Sequence, residues 1–400
     1  MPELLEGSQS VARAVAMCRP DVVCAYPISP QTHIVEALAG MVRTGKLKHC
    51  DYINVESEYA AMSVSIGASA AGGRVYTATA SQGLLYMTEA IYNASGLGLP
   101  IVMTVANRAL GGPINIWNDQ SDSLSQRDSG WLQLFAADNQ EALDLHILAY
   151  RVAEELSVPV MVCMDGFVLT HASDVVEMPT QEQVDKFLPP FTPRQALSIE
   201  HPGSIGMMAG PEIFTETKYL AHRTMLSARG VIEKASSEFE AQFGRVAGQL
   251  VRPYGDTRAD DAEHRPAQSD EIVVVAMGSV LGTLQAVLPV LRAEGINIQL
   301  LGIGSYRPFP NQRLVQAVGE AKRVVVIDRA IQLGIGGVLS DDVQRALGSK
   351  PVTVDSVVAG LGGRPITEAS LEDVLRRAAK GELEDLTFMD LNQEVVGEAA

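Results

Sequence analysis

Short apolar, β-branched runs alternate with helix-patterned segments along most of this chain, and that alternation limits its fold more than any other feature. Asp21–Ala25, Tyr52–Val55, Arg74–Thr79, Ile101–Ala106 and Val158–Met164 read as strands. Ser8–Met17, Gln31–Arg43, Glu58–Ala71, Gly83–Ser95 and Gln140–Glu155 read as helices between and after them. Strands that are apolar on both faces need cover on both, which parallel strands with helical crossovers provide. The pattern resumes with strands at Ile272–Met277, Ile298–Ile303, Arg323–Ile327 and Val352–Val358, and a last helix at Leu371–Ala379. The fold class expected is therefore α/β, with two doubly wound parallel-sheet domains. At 400 residues the chain also exceeds one ordinary core. The first domain is expected over residues 1–178, and an extended and helical connection over 179–270. Within that connection Pro179–Pro211 reads as extended, Glu212–Leu250 as an amphipathic helix and Arg252–Asp270 as a polar linker. A smaller second domain is expected over 271–385, with a polar tail over 386–400.

A net charge of −17 opposes nucleic-acid binding, which requires clustered Lys and Arg against the phosphates. No apolar run is long enough for a membrane span. The acidic start Met-Pro-Glu-Leu-Leu-Glu-Gly lacks the charged-then-apolar order of a secretion signal, so a cytoplasmic location is expected. The cysteines at 18, 24, 50 and 163 are scattered without a C-x-x-C pair, so neither disulfides nor zinc or iron–sulfur ligation is expected of them.

Chemistry in open α/β sheets gathers beyond the carboxyl ends of parallel strands. There the Ile101 strand runs into Asn107 and Arg108, then Gly111-Gly112, then a polar loop bounded by Trp117 and Trp131. An arginine beside backbone-permissive glycines suits a small carboxylate. Tyr26-Pro27-Ile28-Ser29-Pro30 closes the first strand and presents the Ser29 hydroxyl, although a helix-capping serine would explain it equally. Glu58 opens a helix that is nearly free of charge to Gly73. A carboxyl buried at such a mouth needs a partner and can exchange a proton with a nitrogen heterocycle. Thr77–Gly83, with Ser81 and Gln82, reads either as a cradle for an anion or ring or as an ordinary capped loop. Asp119, Asp122 and Asp128 read as a solvated or interface loop with Arg127 pairing internally, and no metal site is expected. In the second domain, Gly278–Gly282 and Gly334–Gly337 read as close turns, because neither is a dinucleotide fingerprint.

Together these segments resemble the α subunit of pyruvate:ferredoxin oxidoreductase and the wider 2-oxoacid oxidoreductase family. The likeness rests on Tyr26–Pro30, Asn54–Ala61, Thr77–Gly83, Ala106–Arg108, Pro113–Trp131 and Asn139–Asp144, and in the second domain on Val326–Arg329 with its downstream glycines. The resemblance implies a thiamine diphosphate enzyme that decarboxylates a 2-oxo acid, with pyruvate favoured. It would oxidise the adduct through iron–sulfur clusters toward ferredoxin and pass the acyl group to coenzyme A. By position, Glu58 matches the glutamate that hydrogen-bonds the aminopyrimidine ring. Pro27, Ile28, Ser81 and Gln82 would lie along the cofactor, and Ser29 and Arg108 would hold the substrate carboxylate next to Gly111 and Gly112. The first domain would be of pyrimidine-binding type and the second transketolase C-terminal-like.

The sequence also lacks parts of that family's machinery. Met164-Asp165-Gly166 is the nearest approach to the Gly-Asp-Gly segment that anchors magnesium and diphosphate, and it lacks the first glycine. No Cys-x-x-Cys-x-x-Cys run is present. The resemblance thus implies a thiamine-binding β subunit holding magnesium and diphosphate, a γ subunit, and a ferredoxin-like δ subunit carrying 4Fe-4S clusters. These would form a hetero-oligomer, a dimer of protomers, in which this chain is inert alone. Gly111-Gly112 stands where the resemblance implies bulkier small residues, such as Ser-Ala, in pyruvate-type relatives. Lost side chains there could admit an aryl 2-oxo acid such as phenylglyoxylate, with NAD or ferredoxin as acceptor, or the glycines could only serve backbone geometry. A non-catalytic scaffold and a nucleotide-dependent dehydrogenase are the readings from other classes.

Overall fold

The computed structural model describes residues 2–255 and 265–397. Two compact units divide the chain: residues 1–250 with 304–310, and residues 251–303 with 311–400. The first begins β1 (Pro2–Glu6), α1 (Gly7–Met17), β2 (Val22–Ala25), α2 (Thr32–Arg43), β3 (Asp51–Asn54), α3 (Glu58–Ala70) and β4 (Val75–Thr79). It continues through α4 (Ser81–Tyr86), α5 (Thr88–Gly96), β5 (Val102–Asn107), α6 (Ser121–Ser125), β6 (Leu132–Phe135), α7 (Asn139–Leu156) and β7 (Val160–Asp165). β8 (Ser173–Glu177), α8 (Gln181–Phe187) and α9 (Pro211–Phe243) follow.

The second unit comprises β9 (Val251–Tyr254), β10 (Ile272–Ala276), α10 (Val280–Ala293) and β11 (Ile298–Ile303); β12 (Ser305–Arg307) returns to the first unit. α11 (Asn311–Val318), β13 (Arg323–Asp328), β14 (Ile331–Gln332), β15 (Gly336–Gly337), α12 (Val338–Leu347), β16 (Thr353–Val358), α13 (Glu368–Lys380), β17 (Leu386–Phe388) and α14 (Gln393–Val396) complete it.

In the first unit seven strands lie in the order β12-β6-β7-β5-β4-β2-β3. All neighbours pair in parallel except β12, which runs antiparallel to β6. Every residue of β4, β5 and β7 is buried, as strands covered on both faces must be. After β2 the chain moves first to β3 and then back across to β4, so the sheet changes winding direction between β2 and β4. That is where ligands enter doubly wound sheets. The second unit repeats the architecture in the order β17-β16-β13-β10-β11-β9, with β9 antiparallel and the rest parallel.

Several elements differ from the sequence expectation. The helix read over Gly83–Ser95 breaks at Met87 into α4 and α5. The loop between the tryptophans contains α6 and is largely buried, not solvated. β6 has only four residues, too few to show a periodicity. β1 pairs antiparallel with β8, a contact invisible before tertiary folding. Within the proline-rich connection Thr180 and Gln183 form a reciprocal capping box that starts α8. The connection is also tied down, because buried Arg74 donates to the Pro189 carbonyl at 2.9 Å while pairing with Glu154 at 2.6 Å. The stretch read as a linker from Arg252 opens with β9, and its residues 256–264 lie outside those described. The stretch read as a polar tail opens with β17 on the sheet edge, and its residues 398–400 also lie outside. Cys18, Cys24, Cys50 and Cys163 are free and buried. Among the described residues no helix is long and apolar enough to cross a membrane.

A fully buried polar chain links β4, β5 and α7. Tyr76 Oη and Thr104 Oγ1 lie 2.5 Å apart, Thr104 Oγ1 and His146 Nε2 also 2.5 Å, and His146 Nδ1 lies 2.6 Å from the Ala142 carbonyl. The carbonyl can only accept, so Nδ1 carries the proton and Nε2 accepts from Thr104, which accepts from Tyr76. Burial pushes the His146 pKa down to about 4, so the folded unit keeps the ring neutral. Between that value and the ordinary 6.5 the unfolded chain takes the proton first. This histidine's contribution to stability is therefore present above pH 6.5 and falls away toward pH 4, by on the order of 3 kcal/mol. The His146→Gln variant should lose less stability than the parent between pH 7 and pH 4.5 in urea unfolding. Parallel losses would show that the ring does not titrate as described.

Candidate active site

The carboxyl ends of β2, β3, β4, β5 and β7 face one edge of the first unit's sheet, and the segments leaving them form the site. On the β2 side, Gln31 is fully buried and spans the change in winding direction. Its Nε2 donates to the Tyr26 carbonyl at 2.9 Å and to the Ala78 carbonyl at 3.0 Å. One amide thereby sets the path of Pro27, Ile28 and Ser29 relative to β4. Sequence reading passed over it as an ordinary helix-start residue.

Glu58 begins α3, whose N-cap Ser57 accepts the Ala60 amide. It is 8% exposed, and its carboxylate has no hydrogen-bond partner among the described residues. Gly83 explains its confinement. A Cβ at position 83 would lie 2.7 Å from Glu58 Oε1 and 2.7 Å from Thr79 Oγ1, so the carboxylate and that hydroxyl flank the glycine. Thr79 Oγ1 is buried and also without a partner. A buried hydroxyl without a partner is costly unless a ligand completes it, and the carboxylate beside it can accept from the same ligand. The donor set fits a ring bearing a protonatable nitrogen and an amino group.

Arg108, at the end of β5, is 7% exposed. Its Nε donates to the Asn115 carbonyl at 3.1 Å and its Nη1 to the Ser29 carbonyl at 3.0 Å. Among the described residues no carboxylate pairs with its guanidinium, and burial lowers its pKa while nearby Asp122 opposes that. A buried cation held only by carbonyl dipoles is a ready anion site. The structure thus joins Arg108 to Ser29, through the serine's carbonyl; the Ser29 residue is exposed.

Ser81 sits in the left-handed region at φ +50°. Its Oγ lies 2.5 Å from both the Ala109 carbonyl and Gln82 Oε1, which ties the loop after β4 to the one after β5. Gln82 in turn lies over Gly111, where a Cβ would meet Gln82 Nε2 at 2.3 Å. Gly112 adopts φ +119°. Close approach at one and backbone conformation at the other account for the glycine pair, and the space that a side chain at 111 would vacate is taken by Gln82.

The residue that sequence reading missed is Asp122. Expected in a solvated or interface loop, it is fully buried within this chain. Its Oδ1 accepts from Asn107 Nδ2 and the Ser123 amide, both at 2.7 Å, and its Oδ2 from the Ser81 amide at 2.9 Å and the Arg108 amide at 3.0 Å. Burial pushes its pKa up to about 6 against the pull of these donors. Asp119 instead closes its own turn on Ser121, Asp128 is exposed, and Arg127 donates to the Leu124 carbonyl. Among the described residues no three acidic, histidine or cysteine side chains could hold a metal. Met164-Asp165-Gly166 is explained by packing, since a Cβ on Gly166 would lie 2.4 Å from the Asn107 carbonyl and 2.5 Å from Pro30.

In the second unit the Gly334–Gly337 turn leads into α12, whose first amides serve a carboxylate of the same chain. Asp328 accepts from the Leu339 amide at 2.5 Å and the Ser340 amide at 3.0 Å. A Cβ at Gly337 would overlap Asp328. The amides that would bind a dinucleotide phosphate are therefore already engaged.

The fold defines a class, the doubly wound α/β proteins, and its polar groups gather at the carboxyl edge of the first unit's sheet. The chain belongs to the pyruvate flavodoxin/ferredoxin oxidoreductase family, whose thiamine diphosphate-binding model matches residues 13–237 and whose core domain II model matches residues 270–371. Pyruvate synthase subunit PorA of Methanosarcina barkeri is 44% identical over 98% of this chain and 97% of its own length. PorA of Methanothermobacter thermautotrophicus is 44% identical over 98% and 99%, and ketoisovalerate oxidoreductase subunit VorA of Pyrococcus abyssi 39% identical over 88% and 87%. The solved 2-oxoglutarate:ferredoxin oxidoreductase from Magnetococcus marinus has the same fold at a TM-score of 0.69 and 20% identity. It is matched over 94% of this chain, which spans 65% of that longer chain.

If Gly83 is required by the Glu58 contact, Gly83→Ala should destabilise the protein by about 1–3 kcal/mol through overpacking. Denaturant unfolding of the purified chain measures this, and an unchanged midpoint would mean that the carboxylate is not confined there.

Proposed function

We propose that this chain is the α-type subunit of a complex that oxidatively decarboxylates a 2-oxo acid, pyruvate first, to an acyl-coenzyme A and CO2 with electrons leaving toward ferredoxin. The observation that carries the reading is Arg108, a buried guanidinium with no carboxylate partner on the sheet edge that also holds buried Glu58. The first unit is read as the pyrimidine-binding half and the second as transketolase C-terminal-like.

Thiamine diphosphate, when bound, supplies the carbon nucleophile and the electron sink that decarboxylation needs. Glu58, with the Thr79 hydroxyl nearby, would hold the aminopyrimidine ring and move a proton at its ring nitrogen. Pro27, Ile28, Ser81 and Gln82 would shape the edge along which that ring lies. The Arg108 guanidinium would grip the 2-oxo acid carboxylate, with Ser29 beside it and Gly111-Gly112 closing the turn. Excluding water around this pair strengthens both contacts. Magnesium and diphosphate are assigned to a thiamine-binding β subunit and the clusters to further iron–sulfur subunits, because the sequence offers neither a Gly-Asp-Gly anchor nor a cluster-type cysteine run. Alone, the chain then holds half a site.

Pyruvate is preferred over an aryl acid because Gln82 fills the place that the glycine pair was thought to open. The identity to the pyruvate synthase subunits also exceeds that to the ketoisovalerate subunit.

In the assembled complex, Arg108→Ala should raise the KM for pyruvate about 10- to 100-fold, the worth of one charge-assisted contact. The KM for coenzyme A should hold. Glu58→Gln should lower kcat by about 100-fold or more, as the loss of a positioned proton donor does. Steady-state assays with pyruvate, 2-oxoisovalerate and phenylglyoxylate check both effects and the preference. Full activity in Glu58→Gln, or an unchanged KM in Arg108→Ala, would remove the proposal.

A further inference from the structure

Asp122 binds no part of the substrate in the reading above, yet its geometry gives it a task there. A carboxylate has about four lone-pair positions, and here all four are taken: Asn107 Nδ2 and the Ser123 amide on one oxygen, the Ser81 and Arg108 amides on the other. The last two donors belong to different strand ends and share a single oxygen. Arg108 is the arginine of the anion site. Ser81 opens the helix that carries Gly83, against which Glu58 rests.

We infer that Asp122 is a positioning residue that fixes the substrate arginine and the cofactor-side loop relative to each other through that shared oxygen. It touches neither ligand. It acts on the backbone of Arg108, so that the guanidinium leaves β5 in the direction that meets the Ser29 carbonyl. It also acts on the backbone of Ser81, whose left-handed conformation a non-glycine residue keeps only when its surroundings enforce it. Asn107, fully buried, braces the second carboxylate oxygen and also reaches Ser123 Oγ at 2.7 Å, so the carboxylate cannot rotate away. Movement at one end of this link is transmitted to the other.

The inference rests on the role proposed for Arg108. Its test compares Asp122→Ala with Asp122→Asn in the assembled complex, with two readouts: the KM for pyruvate against that for coenzyme A, and hydrogen exchange of the peptides containing Ser81 and Arg108. An asparagine keeps one oxygen able to receive both amides; alanine keeps none. Asp122→Ala should raise the pyruvate KM about tenfold or more, the scale of a displaced hydrogen bond. It should leave the coenzyme A KM unchanged and deprotect both peptides together, and Asp122→Asn, whose Nδ2 would face the Ser123 donor, should restore part of both. Should the alanine variant fail to assemble, Asn107→Ala, which removes one of the four donors and leaves the Ser123 amide on the same oxygen, should move the same two readouts by a smaller factor. A pyruvate KM that stays put while the peptides lose protection, or peptides that lose protection independently, would overturn the link. An Arg108→Ala enzyme with normal pyruvate KM would instead defeat the functional reading beneath it.

Discussion

One buried carboxylate that must satisfy four donors at once organises this sheet edge. Asp122 lies on a short helix in what looks like a surface loop, but it is enclosed by the ends of two strands and the turn into α4. An ionised carboxylate deep in a protein is tolerated only when its lone pairs are filled, and once filled it resists any displacement of its donors. The polar loop therefore acts as a rigid insert. Removing its acceptor would leave the Ser81 and Arg108 amides buried and unserved.

Around this insert the site separates into parts left complete and parts left open. Asp122, Asp328 and Gly166 have packing or hydrogen-bond partners that account for them. The Thr79 hydroxyl has none among the described residues, and neither Glu58 nor the Arg108 guanidinium pairs with an opposite charge there. In the proposed reading Arg108 is the acid-binding cation and Glu58 the proton-handling carboxylate, and their place on one edge suits decarboxylation of a 2-oxo acid. The same reading assigns the phosphate anchor to a partner subunit.

Much of this was legible before any coordinates. Strands buried on both faces, such as β4, β5 and β7, announce themselves as continuous apolar runs, so the parallel sheet and the strand end carrying Arg108 could be read directly. By contrast, β3 before Glu58 is only partly buried and is legible from its place in the alternation. Other features could not. β6 is too short for periodicity, and β1 and β9 form only because distant partners present free edges. Asp122 resembled a solvated aspartate because its four donors come from residues up to 41 positions away in the sequence. Gly111 suggested an enlarged pocket until the Gln82 amide was seen to fill the space. In each case the missing information was tertiary: a polar residue's meaning depends on which donors fold onto it.

The central claim is that Glu58, on this chain, shares a proton with a cofactor whose phosphates a neighbouring subunit holds. The most direct measurement is the rate at which the thiazolium C2 hydrogen of thiamine diphosphate exchanges with solvent deuterium in the intact complex, followed by NMR after acid quench. The account predicts that the parent complex accelerates this exchange and that Glu58→Gln slows it by about 100-fold or more, with cofactor still bound. Exchange equally fast in both would contradict it.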